Sequence, residues 1–146
     1  MPRPLTILYA EDEENDVFFL QRGFKLAGSS HTFKAVPDGS QALEYLTGEG
    51  IFADRTRYPF PDLILLDINM PKKSGLDVLA WLRSQPRYNS LPALILTSSS
   101  RPEDMEKARQ LGADDYLLKP SDPLKLIEVV RYLEEHWLSC PAAAHL

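Results

Sequence analysis

Cysteine is nearly absent from this chain: Cys140 is the only one in 146 residues. One cysteine closes no internal disulfide, so a packed core must hold the fold, and a reducing, cytoplasmic setting is expected. No charged cluster surrounds Cys140 in sequence, which argues against a reactive thiol. Histidine is almost as scarce, and His31, His136 and His145 are scattered as surface residues would be. Basic runs are missing too. Sixteen Lys and Arg stand against 21 Asp and Glu, a formal net charge of −5. Nucleic acid is therefore not an expected partner, since it needs a basic face. No apolar run is long enough to span a bilayer, and Leu5 to Ala10 is too short for a signal peptide, so no membrane association is expected. Repeats and low-complexity segments are absent as well.

What remains is an ordinary globular composition, 44% hydrophobic and 25% charged, at a length that suits one domain. Its centre is Asp62-Leu63-Ile64-Leu65-Leu66-Asp67-Ile68-Asn69-Met70-Pro71. Four apolar residues without alternation read as a strand buried on both faces. Asp67 stands where that run stops, and Pro71 and Gly75 shape the loop beyond it. Similar short apolar runs occur at Leu5–Ala10, Pro92–Thr97 and Asp115–Leu118, with a more polar, edge-like one at His31–Val36.

Helical spacing separates them. Val17, Leu20, Phe24 and Ala27 predict a helix from about Asn15 to Ala27, ended by Gly28. Ala42, Leu43, Tyr45 and Leu46 predict a second helix, closed by Gly48 and Gly50, and Ile51 to Pro61 reads as an irregular loop. Leu76, Val78, Leu79 and Leu82 predict a third, ending near Pro86, and Pro102 to Leu111 a fourth. Ser121-Asp122-Pro123 opens the last helix, which runs to about Leu138. Strand and helix alternate five times, which implies a doubly wound α/β fold with a parallel sheet. Residues 1–138 form the expected domain, and 139–146 an expected disordered tail.

In an open parallel sheet, chemistry sits beyond the carboxyl ends of the strands. The strand ends here carry Glu11 and Asp12, Asp67, Thr97 and Lys119. Clustered carboxylates repel, and a cation relieves the repulsion. Oxygen ligands without His or Cys suit Mg²⁺ or its close analogue Mn²⁺. A carboxylate, a cation, an ammonium and a hydroxyl together make a phosphoryl-transfer site. Asp67 would become an aspartyl phosphate, and Lys119 and Thr97 would contact the phosphoryl oxygens.

Glu11-Asp12 after the first strand, Asp67 in Leu-Asp-Ile-Asn-Met-Pro, Gly75, Thr97 and Tyr116-Leu-Leu-Lys119-Pro120 occur in that order. On these residues the chain resembles the receiver domain of two-component response regulators over nearly its whole length. The resemblance implies the flavodoxin-like (βα)5 fold, a five-stranded parallel sheet in the order 2-1-3-4-5. It implies that Asp67 takes phosphate from a sensor histidine kinase and that the protein signals through protein–protein contacts, without being an enzyme. It implies a metal site of Asp12, Asp67 and the Asn69 carbonyl, with Glu11 acting through water. Thr97 and Tyr116 become the switch residues, and Lys119–Pro120 a cis peptide. The first acid is Glu rather than the commoner Asp, and Ser121 stands where many receivers carry Phe. The long loop before the central strand, Pro71-Lys72-Lys73 and Glu135-His136-Trp137-Leu138 resemble the small receivers paired with bacterial phytochrome kinases.

An aspartate-nucleophile phosphatase would need an acid two residues after Asp67, where Asn69 stands. A flavodoxin-like cofactor binder would need a Ser/Thr/Gly cradle where Glu11 to Glu14 stand. A degenerate receiver that only binds partners would not keep the whole site. In the last helix Leu126, Val129, Val130, Leu133 and Trp137 form one stripe, enough to face the sheet. Leu124, Ile127, Tyr132 and Leu138 fall outside it, and this surplus apolar surface points to a homodimer.

Overall fold

The structure, a computed structural model, describes residues 4–138. Five strands, β1 (Thr6–Ala10), β2 (Thr32–Val36), β3 (Leu63–Leu66), β4 (Ala93–Thr97) and β5 (Asp115–Leu118), form one sheet in the order β2-β1-β3-β4-β5. Every pairing is parallel. The helices between them are α1 (Glu14–Leu26), α2 (Gly39–Thr47), α3 (Gly75–Ser84), α4 (Pro102–Leu111) and α5 (Leu126–Leu133). The expected fold, strand order and element sequence are all present.

The strands without alternation are the inner ones. Every residue of β1, β3 and β4 is buried, whereas β2 and β5 at the edges are only partly covered. Successive side chains leave a strand on opposite faces, which divides the core in two. Leu8, Ala10, Ile64, Leu66 and Ile95 join one layer with α2, α3 and α4. Ile7, Tyr9, Leu63, Leu65 and Leu96 join the other with α1 and α5. Both faces of the three inner strands are thus dry, and the charged side chains of the centre emerge beyond the strand ends.

Backbone pairing carries the register past the strand ends. The Glu11 N–H donates to Val36 O, Asp67 N–H to Ala10 O and Lys119 N–H to Thr97 O, at 2.9, 3.1 and 2.8 Å. The three charged residues are therefore held by the sheet itself. The two aspartates around β3 have different tasks. Asp62 accepts from Thr6 N–H at 2.8 Å and fixes the far end of the strand, while Asp67 faces the carboxyl edge.

Three local readings change. The segment read as irregular contains a 3₁₀ turn at Gly50–Ala53, where Phe52 buries itself against Tyr45 and Tyr58. The last helix continues as a π-helix over Glu134–Leu138. One extra residue in a turn sets the following positions back by about 100°. Leu138, expected outside the core stripe, is thereby turned inward and is buried. No peptide bond among the described residues is cis, so Lys119–Pro120 is trans. Trans is the lower-energy form of an X-Pro bond by about 0.5–1 kcal/mol, and Lys119 reaches the site from it. The expected tail, with Cys140 and His145, lies outside the described residues.

Gly75 opens α3 directly beneath the end of β3. A Cβ built there would lie 2.2 Å from the Asp67 carbonyl oxygen and 3.1 Å from the Leu66 side chain. Both neighbours sit in buried, fully packed backbone, so neither can yield cheaply. Gly75→Ala is expected to lower unfolding free energy by about 2 kcal/mol, as overpacking does. Urea denaturation measures this; a variant as stable as the parent would contradict the close packing of α3 on β3.

Candidate functional site

Four elements deliver charge to one spot beyond the carboxyl edge of the sheet. Glu11 follows β1, Asp67 follows β3, Lys119 follows β5, and Asp16 projects from the first turn of α1. The Lys119 Nζ donates to Asp67 Oδ2 and Asp16 Oδ2, each at 2.8 Å, and to Glu11 Oε1. An ammonium has three donors, and all three are used. Glu11 and Asp67 are 2% and 4% exposed, and Thr97 beside them is fully buried.

Glu11 is held from several sides. Its Oε1 accepts from the Tyr9 hydroxyl at 3.0 Å and its Oε2 from the Glu13 N–H at 3.0 Å. Asp67 Oδ1 accepts from the Asn69 N–H at 3.1 Å, which fixes the carboxylate plane. Burial pushes the Glu11 carboxyl up to about 8, aided by Asp67 and opposed by Lys119. Burial acts on Asp67 in the same direction, but hydrogen bonds from Glu11, Lys119 and Thr97 outweigh it and hold Asp67 below the ordinary range. Burial thus favours the neutral form of Glu11, while its neighbours favour the ionised form of Asp67. Burial disfavours the Lys119 ammonium, yet its three acceptors outweigh that and raise it above its usual value. Burial, then Glu11, raises the Tyr9 phenol, which therefore remains a donor.

Oxygens of Glu11, Asp12 and Asp67 all lie within 4.8 Å of one another. Asp12 is exposed at the rim, and Asn69 and Ser98 line the same cleft. Four acids share one lysine here, so positive charge is in deficit. The donors are oxygen only, and the cleft is open enough for water to complete a coordination shell. The residues present fit a hard divalent cation such as Mg²⁺ or Mn²⁺.

The remaining sequence candidates lie further out. Thr97 Oγ1 accepts from the Ser99 N–H at 3.3 Å, and the Ser99 carbonyl accepts from the Tyr116 hydroxyl at 2.8 Å. Thr97 and Tyr116 are thus joined through Ser99 rather than touching. Burial raises the Tyr116 phenol, so it stays protonated as the donor in that link. Leu124 is 66% exposed, but Ile127 and Tyr132 are half-buried. The Ile127 backbone backs onto Gly23 of α1, and the Tyr132 hydroxyl donates to Asp115. Sequence reasoning missed Asp16 and Tyr9. It placed Asp16 in the helix N-terminus only, and Tyr9 in a buried strand.

The description "Response regulator receiver domain" fits residues 7–131 of the chain. Response regulator Rcp1 of Synechocystis sp. is 33% identical over 143 residues, which span 96% of this chain and 95% of that protein. The crystal structure of the phosphorylated cyanobacterial phytochrome response regulator RcpA superposes with a TM-score of 0.86 at 34% identity, over 94% of this chain and 96% of that one. The Mn²⁺-bound form of Rcp1 gives 0.83 at 32% identity, with the same coverage.

Lys119→Met removes the only cation that the described contacts give to Glu11 and Asp67. Losing one partner of a buried ion pair costs several kcal/mol, less where the site is open and an acid can take a proton. Without divalent cations the variant is expected to lose about 2 kcal/mol of stability, and millimolar Mg²⁺ should restore part of it. Urea melts with and without Mg²⁺ test this. No loss without Mg²⁺ would show that the ammonium does not balance these acids.

Proposed function

Because the chain belongs to the response regulator receiver domain family, we propose that Asp67 accepts a phosphoryl group from a sensor histidine kinase in a phosphorelay. The observation that carries this reading is the buried Asp67 carboxylate with Lys119 Nζ 2.8 Å from one of its oxygens. An Asp67 oxygen forms the bond to phosphorus as the bond from phosphorus to the donor nitrogen breaks. Glu11, Asp12, Asp67 and the Asn69 carbonyl would hold Mg²⁺ or Mn²⁺. When bound, that cation supplies the positive charge which the acids lack and the transferring oxygens need. Lys119 offers N–H donors to one phosphoryl oxygen, and the Thr97 hydroxyl to another. The protein has no catalytic output of its own in this reading; the acyl phosphate is its signal.

The names of RcpA and of other similar structures attach them to phytochromes, which supports a bacteriophytochrome-type kinase as partner. Residues 1–138 act as one receiver, working in the cytoplasm without nucleic acid or membrane. Reorientation of Thr97 toward phosphate would draw on Ser99, and through it on Tyr116. Tyr116 belongs to β5, next to a groove lined by Leu117, Leu118, Val129 and Tyr132. Leu118 is 49% exposed and Leu124 66% exposed, so this face offers apolar surface for a homodimer that phosphorylation strengthens.

Asp67→Asn should fold normally and take up no phosphate from acetyl phosphate with Mg²⁺, as read by intact mass. A phosphate-sized gain in that variant would remove Asp67 from its role.

Sedimentation at high micromolar concentration should show dimers, more after phosphorylation, and a Leu118→Glu, Leu124→Glu double variant should be monomeric. A wild type that is monomeric in both states would contradict the dimer.

A further inference from the structure

Asp16 has no part in the phosphoryl chemistry outlined above. It occupies the third position of α1, counted after its N-cap Glu13. The same position of α3 shows what an Asp usually does there. Asp77 accepts from the Ser74 N–H at 3.0 Å while Ser74 caps the Asp77 N–H, a reciprocal capping box. In α1 the N-cap makes no side-chain hydrogen bond, and the Asp16 carboxylate turns instead to Lys119, 103 residues away in sequence. The N-cap N–H of Glu13 is met by Glu11 instead, which leaves Asp16 to make one long-range charge-assisted bond.

We propose that Asp16 is a positioning residue that keeps the Lys119 ammonium beside Asp67 through the transfer step. The inference rests on the reading of Asp67 as phosphoacceptor. Lys119 has three acceptors, and two of them, Glu11 and Asp67, also belong to the oxygen set that fits a cation. Asp16 lies outside that set. When Glu11 and Asp67 turn toward cation and phosphoryl group, Asp16 is the acceptor that stays with Lys119. A lysine stem has about 2 kcal/mol of rotamer freedom, so an unanchored ammonium would leave the phosphoryl oxygens for much of the time. Asp16 is suited to the task because helix α1, packed on α5 through Gly23, holds it rigidly.

The test uses Asp16→Asn, which is nearly isosteric, and Asp16→Glu as the conservative variant. The first measurement is the Nζ resonance of Lys119 in ¹⁵N-labelled protein saturated with Mg²⁺. Wild type should show a slowly exchanging ammonium, Asp16→Asn a fast-exchanging one, and Asp16→Glu a recovered one. The second is the rate of phosphate uptake from acetyl phosphate at saturating Mg²⁺. Asp16→Asn should slow it on the order of tenfold, the loss expected for one charge-assisted hydrogen bond. In a Lys119→Met background the same substitution should change nothing further, because its effect runs through Lys119. An unchanged Lys119 signal in Asp16→Asn overturns the positioning role alone. So does a rate loss that persists in the Lys119→Met background. A wild type that takes no phosphate on Asp67 overturns the phosphoacceptor reading, and the present inference with it.

Discussion

The site depends on a single buried ammonium. Lys119 Nζ touches Glu11, Asp16 and Asp67 together, and without it three acids would converge with nothing between them. Each acid arrives on a different element, so the pairing also ties the ends of β1, β3 and β5 to the first turn of α1. The balance is incomplete, because Asp12 joins the cluster while Lys119 is the one lysine among the described residues lining the cleft. Burial, aided by Asp67, raises the Glu11 carboxyl, and the oxygen-only cluster fits a hard cation.

The fold makes that arrangement possible by gathering these charged groups at the carboxyl edge of the sheet. Two dry layers sandwich β1, β3 and β4, and the backbone register extends one residue past the ends of β1, β3 and β5 before the chain turns. Glycine at position 75 lets α3 press against the Asp67 carbonyl, so the proposed nucleophile sits on closely packed backbone. On the opposite side, Thr97 connects through Ser99 to Tyr116, and the Ser99 hydroxyl donates to Asp104 on α4 at 2.6 Å. A phosphoryl group on Asp67, as proposed, would thus have a short physical route to both α4 and β5. Ser99 is its junction: its N–H serves Thr97, its carbonyl serves Tyr116 and its hydroxyl serves Asp104.

Much of this was legible in the sequence, for a physical reason. A parallel sheet covered on both faces forces continuous apolar runs, and their ends mark the reactive edge, so Glu11, Asp12, Asp67, Thr97 and Lys119 stand out without any structure. Asp16 did not, because an acid in the first turn of a helix is explained locally, and the lysine that claims it is 103 residues distant. Tyr9 was hidden for a similar reason, since its ring belongs to the core while its hydroxyl alone reaches Glu11. Leu138 was misplaced because periodicity assumes a constant turn, and the π-helix at Glu134–Leu138 breaks that assumption. The trans Lys119–Pro120 bond corrects an expectation taken from resemblance, not from any residue pattern.

The central claim is that the carboxylate beyond β3 is the nucleophile, held ionised by Lys119. Borohydride reduction converts an aspartyl phosphate to homoserine and so marks the residue that carried it. After acetyl phosphate and Mg²⁺, peptide mass mapping should find homoserine at position 67 and at no other aspartate, and none when Mg²⁺ is chelated. Homoserine at Asp12, Asp16 or Asp62 in place of Asp67 would contradict the account, as would labelling of Asp67 that is indifferent to Mg²⁺.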